Sequence, residues 1–227
     1  MQSPRKVGGA TTNPVSDRQS RRKARTRAAL VAAARQLFAH RGFGATSVAA
    51  IAEQADTGHG SFYNHFATKE EILTAVLEGS LTEQLDLLRT RHQGIEDPAE
   101  RVSIGHRHVL AAARADPDWG WLILRLDIPY RVIEAVFRGD AMRDLQEGIE
   151  SGRFSVTDPT VSLLASGGSL IGIMHLILRE SLGEDADIAH AEGVLRSFGL
   201  VASDAREVAR RALPEAVPGA AGSSRSR

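Results

Sequence analysis

Signals that start and stop helices recur along almost the whole chain, and they leave little room for any other element. Thr68, followed three residues later by Glu71, forms a capping box. Asp97-Pro98, Asp116-Pro117 and Asp158-Pro159 each place a side-chain acceptor ahead of a proline, whose missing N–H costs nothing in a first turn. Gly42, Gly94, Gly152 and Gly183 stand where the apolar period lapses, the position of a helix stop. Between these signals apolar residues recur three and four apart, without the alternation that marks a strand and without an internal repeat. The pattern predicts helices at 21–40, 47–55, 59–66, 69–92, 97–115, 117–126, 130–151, 159–182, 187–200 and 203–212, an all-α chain. Residues 1–20 and 214–227 are rich in Pro, Gly and Ser, lack an apolar period and are read as disordered tails.

The formal net charge of zero conceals an asymmetry. Residues 1–70 hold 11 Lys and Arg against 4 Asp and Glu, and the rest of the chain reverses the balance with 17 against 24. A basic head on an acidic body suggests a polyanionic partner for the head alone, although a solvated basic tail has the same composition. With no cysteine, neither a disulfide framework nor a thiolate metal site is available, which fits a reducing cytoplasm. The basic N-terminus is not followed by the apolar run of a secretion signal. Zinc-protease, phosphate-loop, dinucleotide-fold and nucleophile-elbow motifs are missing from the sequence, so no catalytic residue, metal or cofactor is expected and an enzyme is disfavoured.

Three short amphipathic stretches open the head. Leu30, Ala34, Leu37 and Phe38 share one helical face, and Val48, Ile51, Ala52 and Ala55 follow the same rule in the next. Asp56, Thr57 and Gly58 then interrupt the pattern before SFYNHF at 61–66, where Phe62 and Phe66 lie one turn apart. Two short helices joined by a three-residue turn containing glycine form a helix-turn-helix, whose second helix enters the major groove while the first braces it.

At these residues the chain resembles the TetR family of transcription regulators. RGFGATSVAAIAEQADTGHGSFYNHFATKEEIL, starting at Arg41, follows that family's DNA-binding pattern through Gly42, Thr46, Ala50-Ile51-Ala52, Ala55, Gly60, Phe62-Tyr63, Phe66 and Lys69-Glu70. The likeness runs from Thr26 to about Leu77, and the remainder agrees in length and helicity only. It implies an N-terminal three-helix DNA-binding domain at 21–82 and a C-terminal helical regulatory and dimerisation domain at 83–213. It also implies a cytoplasmic homodimer that binds palindromic double-stranded DNA and releases it on binding a small-molecule effector. An activator of the same fold is the alternative, ahead of a helical enzyme or scaffold.

Candidate DNA-binding residues are Thr46, Ser47, His59, Gly60, Ser61, Tyr63, Asn64, His65 and Lys69. Thr46 is expected to cap the second helix, leaving free N–H groups at a positive helix end that suits a phosphate. Lys69 opposes the dipole of the helix it opens, and the resemblance gives it a phosphate to relieve that cost. The resemblance likewise gives the Tyr63 hydroxyl a phosphate. His59, Ser61, Asn64 and His65 are candidates for base edges, Asn64 because an amide can bond adenine twice; for His65, packing weighs equally. The arm RQSRRKARTR at 18–27 offers further phosphate contacts or a minor-groove tail.

In the body, TVSLLASGGSLIGIMHLIL at 160–178 contains no Asp, Glu, Lys or Arg. It is long enough to span a bilayer, but it is isolated, carries Ser162, Ser166, Ser169 and His175, and opens on a capped turn; burial in protein is the better reading, with no membrane partner. Small residues at Ala165, Gly168 and Gly172 would admit a second helix. The family's dimer interface maps onto 159–182 and 187–200, with Leu164, Gly168, Ile171, Gly172, His175, Leu195 and Phe198 as candidates. His106, Trp119, Trp121, Leu122, Arg125, Phe137, Met142, Met174 and His175 are candidate pocket walls, each equally plausible as ordinary core.

Overall fold

The computed structural model describes residues 14–125 and 139–215. Its described residues form helices only: α1 (Pro14–Arg41), α2 (Val48–Gln54), α3 (His59–Tyr63), α4 (Lys69–Arg91), α5 (Pro98–Ala115), α6 (Pro117–Arg125), α7 (Asp140–Glu150), α8 (Pro159–Leu178), α9 (Ala186–Ser197) and α10 (Ala202–Ala209). The anticipated starts hold at α4, α5, α6 and α8. Thr68 accepts from the Glu71 N–H at 3.1 Å, Asp97 from Ala99 at 2.9 Å, Asp116 from Trp119 at 3.0 Å and Asp158 from Val161 at 3.0 Å. Each satisfies an N–H that the helix itself leaves unpaired.

Several boundaries differ from expectation. α1 begins at Pro14, so residues 14–20, read as tail, are helical and the arm at 18–27 is part of a rod of 28 residues. Residues 1–13, 126–138 and 216–227 lie outside the described residues, and with them most of the expected tails and the first part of the helix read at 130–151. α3 stops at Tyr63 rather than Phe66. α8 stops at Leu178, short of Gly183, because Glu180 takes the left-handed conformation (φ 56°) and its N–H turns back to Ile177.

Three apolar clusters organise the interior. The head core gathers Leu30, Ala34, Leu37 and Phe38 from α1, Ile51, Phe62, Phe66, and Ile72 and Val76 from α4. One body core joins Leu110, Ala113, Trp119, Ile123, Met174 and Ile177. The other joins Ala99, Leu145, Phe154, Leu163, Val194, Leu195, Phe198 and Val208. The boundary expected at 82/83 falls inside α4, so head and body are continuous through one helix. α6 binds them a second time: Leu122 is fully buried in the head core while Trp119 and Ile123, on the same helix, belong to the body. Arg35 of α1 pairs with Asp116, and His40 with Asp118 at 3.2 Å, along that seam. The C-terminal turn is fastened by Arg107 donating to the Arg211 carbonyl at 2.6 Å and by Arg211 pairing with Glu100 at 2.6 Å.

Candidate nucleic-acid interface and cavity

α2 and α3 are joined by a tight reversal. Its left-handed residue is Asp56 (φ 50°) and not Gly58, which sits extended at φ −67° as the residue preceding α3. Aspartate tolerates that conformation better than most side chains. Before α2, Gly42 (φ 81°) ends α1 in the left-handed region, where a β-carbon would be strained.

Phe62 and Phe66 are buried and hold α3 to the head core by its apolar back. The opposite edge presents His59, Gly60, Tyr63 and Asn64 to solvent, with Tyr63 55% exposed. The His59 and Tyr63 rings meet edge to face at 5.6 Å, so the two side chains brace one another on this edge. Ser61 is half-buried. His65 turns away from the edge: it is half-buried, its Nδ1 is buried without a hydrogen-bond partner among the described residues, and burial, with Lys23 and Arg27 nearby, pulls its pKa below the usual histidine value.

Two assignments change at the start of α2. Ser47, not Thr46, caps the helix, accepting from Ala50 N–H at 3.1 Å. Thr46 is buried; its hydroxyl donates to the Gly42 carbonyl at 2.8 Å and its N–H to Phe43 at 3.2 Å, so both donors are engaged within the protein. Lys69 is neither an idle surface lysine nor a wholly free cation. Its ammonium donates to the carbonyls of Phe43 and Thr46, both at 2.9 Å, and lies 4.2 Å from the Phe43 ring centre. An ammonium has three donors, so one remains for an outside acceptor. Sequence reasoning missed this latch, because its acceptors are backbone groups more than twenty residues upstream.

The body contains a cavity of about 250 Å³ between α4, α5, α7 and α8. Leu85, Leu88, Val102, Val109, Leu163 and Leu170 supply apolar wall, and a polar end carries Arg89, His92, Arg101, Asp140 and Asp144. That end continues into an open groove of about 450 Å³ edged by the same five residues. Arg101 donates from Nε to Asp144 at 2.6 Å and also pairs with Glu147. His92 approaches Asp144 at 4.0 Å, while its Nε2 is buried with no partner among the described residues. His106 is on the wall, its Nδ1 3.0 Å from Nε2 of His190 on α9, and burial followed by the His190 charge lowers its pKa to about 3.

Of the other candidate walls, Trp119 and Met174 lie in one body core and Leu122 in the head core. Trp121 packs against the head core, and Met142 against the second body core. His175 is exposed on α8, its ring 5.6 Å from that of Trp121. None of these lines the cavity among the described residues. Phe137 lies outside the described residues, as does the side chain of Arg125. Sequence reasoning favoured aromatic residues, whereas the cavity is walled by leucines and valines that no sequence signal separates from core.

On α8 an uncovered stripe follows helical spacing: Val161 (61% exposed), Leu164 (47%), Gly168, Gly172, His175 and Leu176 (40%) face solvent, with Ile171 beside them. By length and composition the helix could cross a membrane. Leu195 and Phe198, expected on the same surface, are fully buried in the subunit's own core, so α9 turns Ala189, Gly193 and Arg196 outward instead.

Comparison with known proteins finds two family models. The one described as bacterial regulatory proteins, tetR family, matches residues 30–76, and the one described as tetracyclin repressor-like, C-terminal domain, matches residues 97–211. The HTH-type transcriptional repressor Rv3405c of Mycobacterium tuberculosis (strain ATCC 25618 / H37Rv) is 38% identical over 108 residues, 47% of this chain and 56% of that protein. KstR2, an HTH-type transcriptional repressor of the same strain, is 41% identical over 80 residues, 34% of this chain and 38% of that protein. The chain thus spans a little over half the length of the first curated relatives it matches. Among solved structures, RolR in complex with resorcinol superposes with a TM-score of 0.67 at 33% identity, covering 87% of this chain and 100% of that one.

Proposed function

The chain belongs to the tetR family of bacterial regulatory proteins, and on that premise we propose that it is a dimeric DNA-binding repressor whose hold on its operator is released by a small molecule. One observation carries the DNA reading: α3 and the turn that follows it bury Phe62 and Phe66 and leave His59, Gly60, Tyr63 and Asn64 as a continuous exposed edge. Nothing inside the protomer requires a glycine at position 60, since its backbone is not left-handed and a β-carbon there would meet no atom within 4 Å. A missing side chain at that point suits the close approach of another molecule.

The roles follow from the chemistry of each group. Asn64 can bond a base edge bidentately, and His59 and Ser61 offer single bonds. The Tyr63 hydroxyl, the third ammonium hydrogen of Lys69 and the Ser47 end of α2 suit phosphates, which set register without reading sequence. Thr46 contributes by shaping the loop, its hydroxyl being spent on Gly42. Two copies meeting through the bare stripe of α8 and the outer face of α9 would present paired reading helices to half-sites about one helical turn, ~34 Å, apart.

The effector site we propose is the cavity. Resorcinol, bound by the 33% identical relative RolR, is a small ring carrying two hydroxyls. About 250 Å³ of largely apolar space ending in His92, Asp144 and Arg101 suits a molecule of that size and polarity. To invert the population from 1:99 to 99:1 an effector must favour the released form by about 5.5 kcal/mol.

Selection of bound duplexes from a random pool tests this reading. It should recover a two-fold symmetric site. Asn64→Ala should then lose about fivefold or more at one base of each half-site, from an expected ~1–3 kcal/mol per bidentate pair, and Tyr63→Phe should weaken all duplexes alike. Small phenols, resorcinol first, should release the protein from the selected duplex, read by fluorescence anisotropy. Failure to enrich any duplex would overturn the proposal.

A further inference from the structure

Ahead of its first buried residue, Leu30, α1 continues as a helix in which residues 18–25 are all exposed. We propose that this extension is a second DNA-contacting surface: a rigid basic helix that follows the sugar–phosphate backbone beside α3 and grips it through Arg18, Arg22 and Arg25 on one side and Lys23 and Arg27 on the other. The inference rests on the DNA reading above and adds to it a surface outside the helix-turn-helix.

Position comes first. The Arg27 guanidinium lies 4.8 Å from the ring centre of Phe66, immediately beyond α3, and Lys23 lies one turn further out on the same face. The extension therefore leaves the head beside the C-terminal end of the reading helix. Its span from Pro14 to Leu30 is ~24 Å at 1.5 Å per residue. Arg18, Arg22 and Arg25 fall at i, i+4 and i+7 on the face away from Lys23 and Arg27, so cations flank both sides of the rod.

Energetics points to the partner. Cations at i, i+4 such as Arg18 and Arg22 repel by a few tenths of a kcal/mol in a bare helix. A row of phosphates would reverse the sign of that repulsion. A helix about 10 Å across cannot enter a minor groove about 6 Å wide, so the contacts are to backbone and carry no sequence preference. An anionic membrane is the other polyanion to consider, but RQSRRKARTR offers only Ala24 as an apolar side chain, with no face to bury among acyl chains.

The test compares the full-length chain with the combined variant Arg18→Gln, Arg22→Gln, Arg25→Gln, glutamine keeping helix propensity. Anisotropy over a salt series is read on a duplex selected by the wild type and on a mixed-sequence duplex of equal length. Each phosphate contact contributes about 0.9 to the log–log salt slope, so loss of three should flatten it by ~2.7 per protomer on both duplexes, with base preference unchanged. Hydroxyl-radical protection flanking each half-site should fade as well. An unchanged slope and footprint in the variant would overturn this inference alone. So would loss of binding to phosphatidylserine vesicles with the duplex slope intact. A wild-type chain that binds no duplex would overturn both this inference and the reading beneath it.

Discussion

His106 and His190 face each other with ring nitrogens 3.0 Å apart, and His108, buried on the same helix, meets the Gln84 carbonyl at 3.1 Å. Burial is the first cause holding all three below the usual histidine pKa, His106 to about 3 and His108 to about 4. As pH falls below about 6.5, the unfolded chain takes up protons that the folded histidines refuse. Stability is then lost by at most ~1.4 kcal/mol per pH unit per group until the folded values are reached. The unfolding midpoint should therefore fall progressively from pH ~6.5 down to pH ~4, and His106→Gln should flatten that dependence. A variant whose midpoint tracks the wild type across the range would show that His106 takes up its proton as readily in the folded chain as in the unfolded one. At this scale the sequence could be read only where a residue's role is local. Thr46 and Ser47 are adjacent hydroxyls with equal capping chemistry, and only the backbone angles select Ser47. The same limit hid the Lys69 latch.

Among elements, α8 shows why spacing alone separates faces poorly. Its run without charge predicts burial, yet only 22% of that window is buried within the described protomer, and the small-residue stripe lies on the bare side. On α9, however, the resemblance assigns a whole segment to the interface without separating its faces, and Leu195 and Phe198 fill the core instead. Added β-carbons at Gly168 and Gly172 would meet nothing within 4 Å inside the protomer. If the proposed interface is formed there, substitution is expected to disturb assembly rather than folding, apart from propensity gains of up to ~1 kcal/mol when glycine leaves a helix interior. Gly172→Glu is expected to sediment as a monomer with wild-type helicity. A dimer that persists at the same concentration would move the interface off this stripe. Helix starts were the most legible feature of all, because Asp97, Asp116 and Asp158 act on N–H groups within three residues of themselves.

For the molecule as a whole, the head and body are not independent units. α4 runs through both, and α6 places Leu122 in one core and Trp119 in another. Leu122→Ala should cost about 2–5 kcal/mol, as for other large-to-small changes in a core, and loosen the head selectively. Hydrogen exchange would then quicken in α1–α3 while α9 and α10 keep their protection; uniform loss across the chain would mean that the two cores open together. The division into a DNA-binding part and a helical body was legible from charge and motif. The sharing of Leu122 was not, since it depends on where α6 docks. Seen end to end, α4 is a beam of 23 residues, about 34 Å long, with the Lys69 latch at one extremity and the cavity at the other. Hydrogen bonds of 2.9 Å lapse beyond ~3.5 Å, so a tenant that tips the beam by little more than half an ångström at its far tip forces the lysine either to stretch after its carbonyls or to let the loop before α2 go.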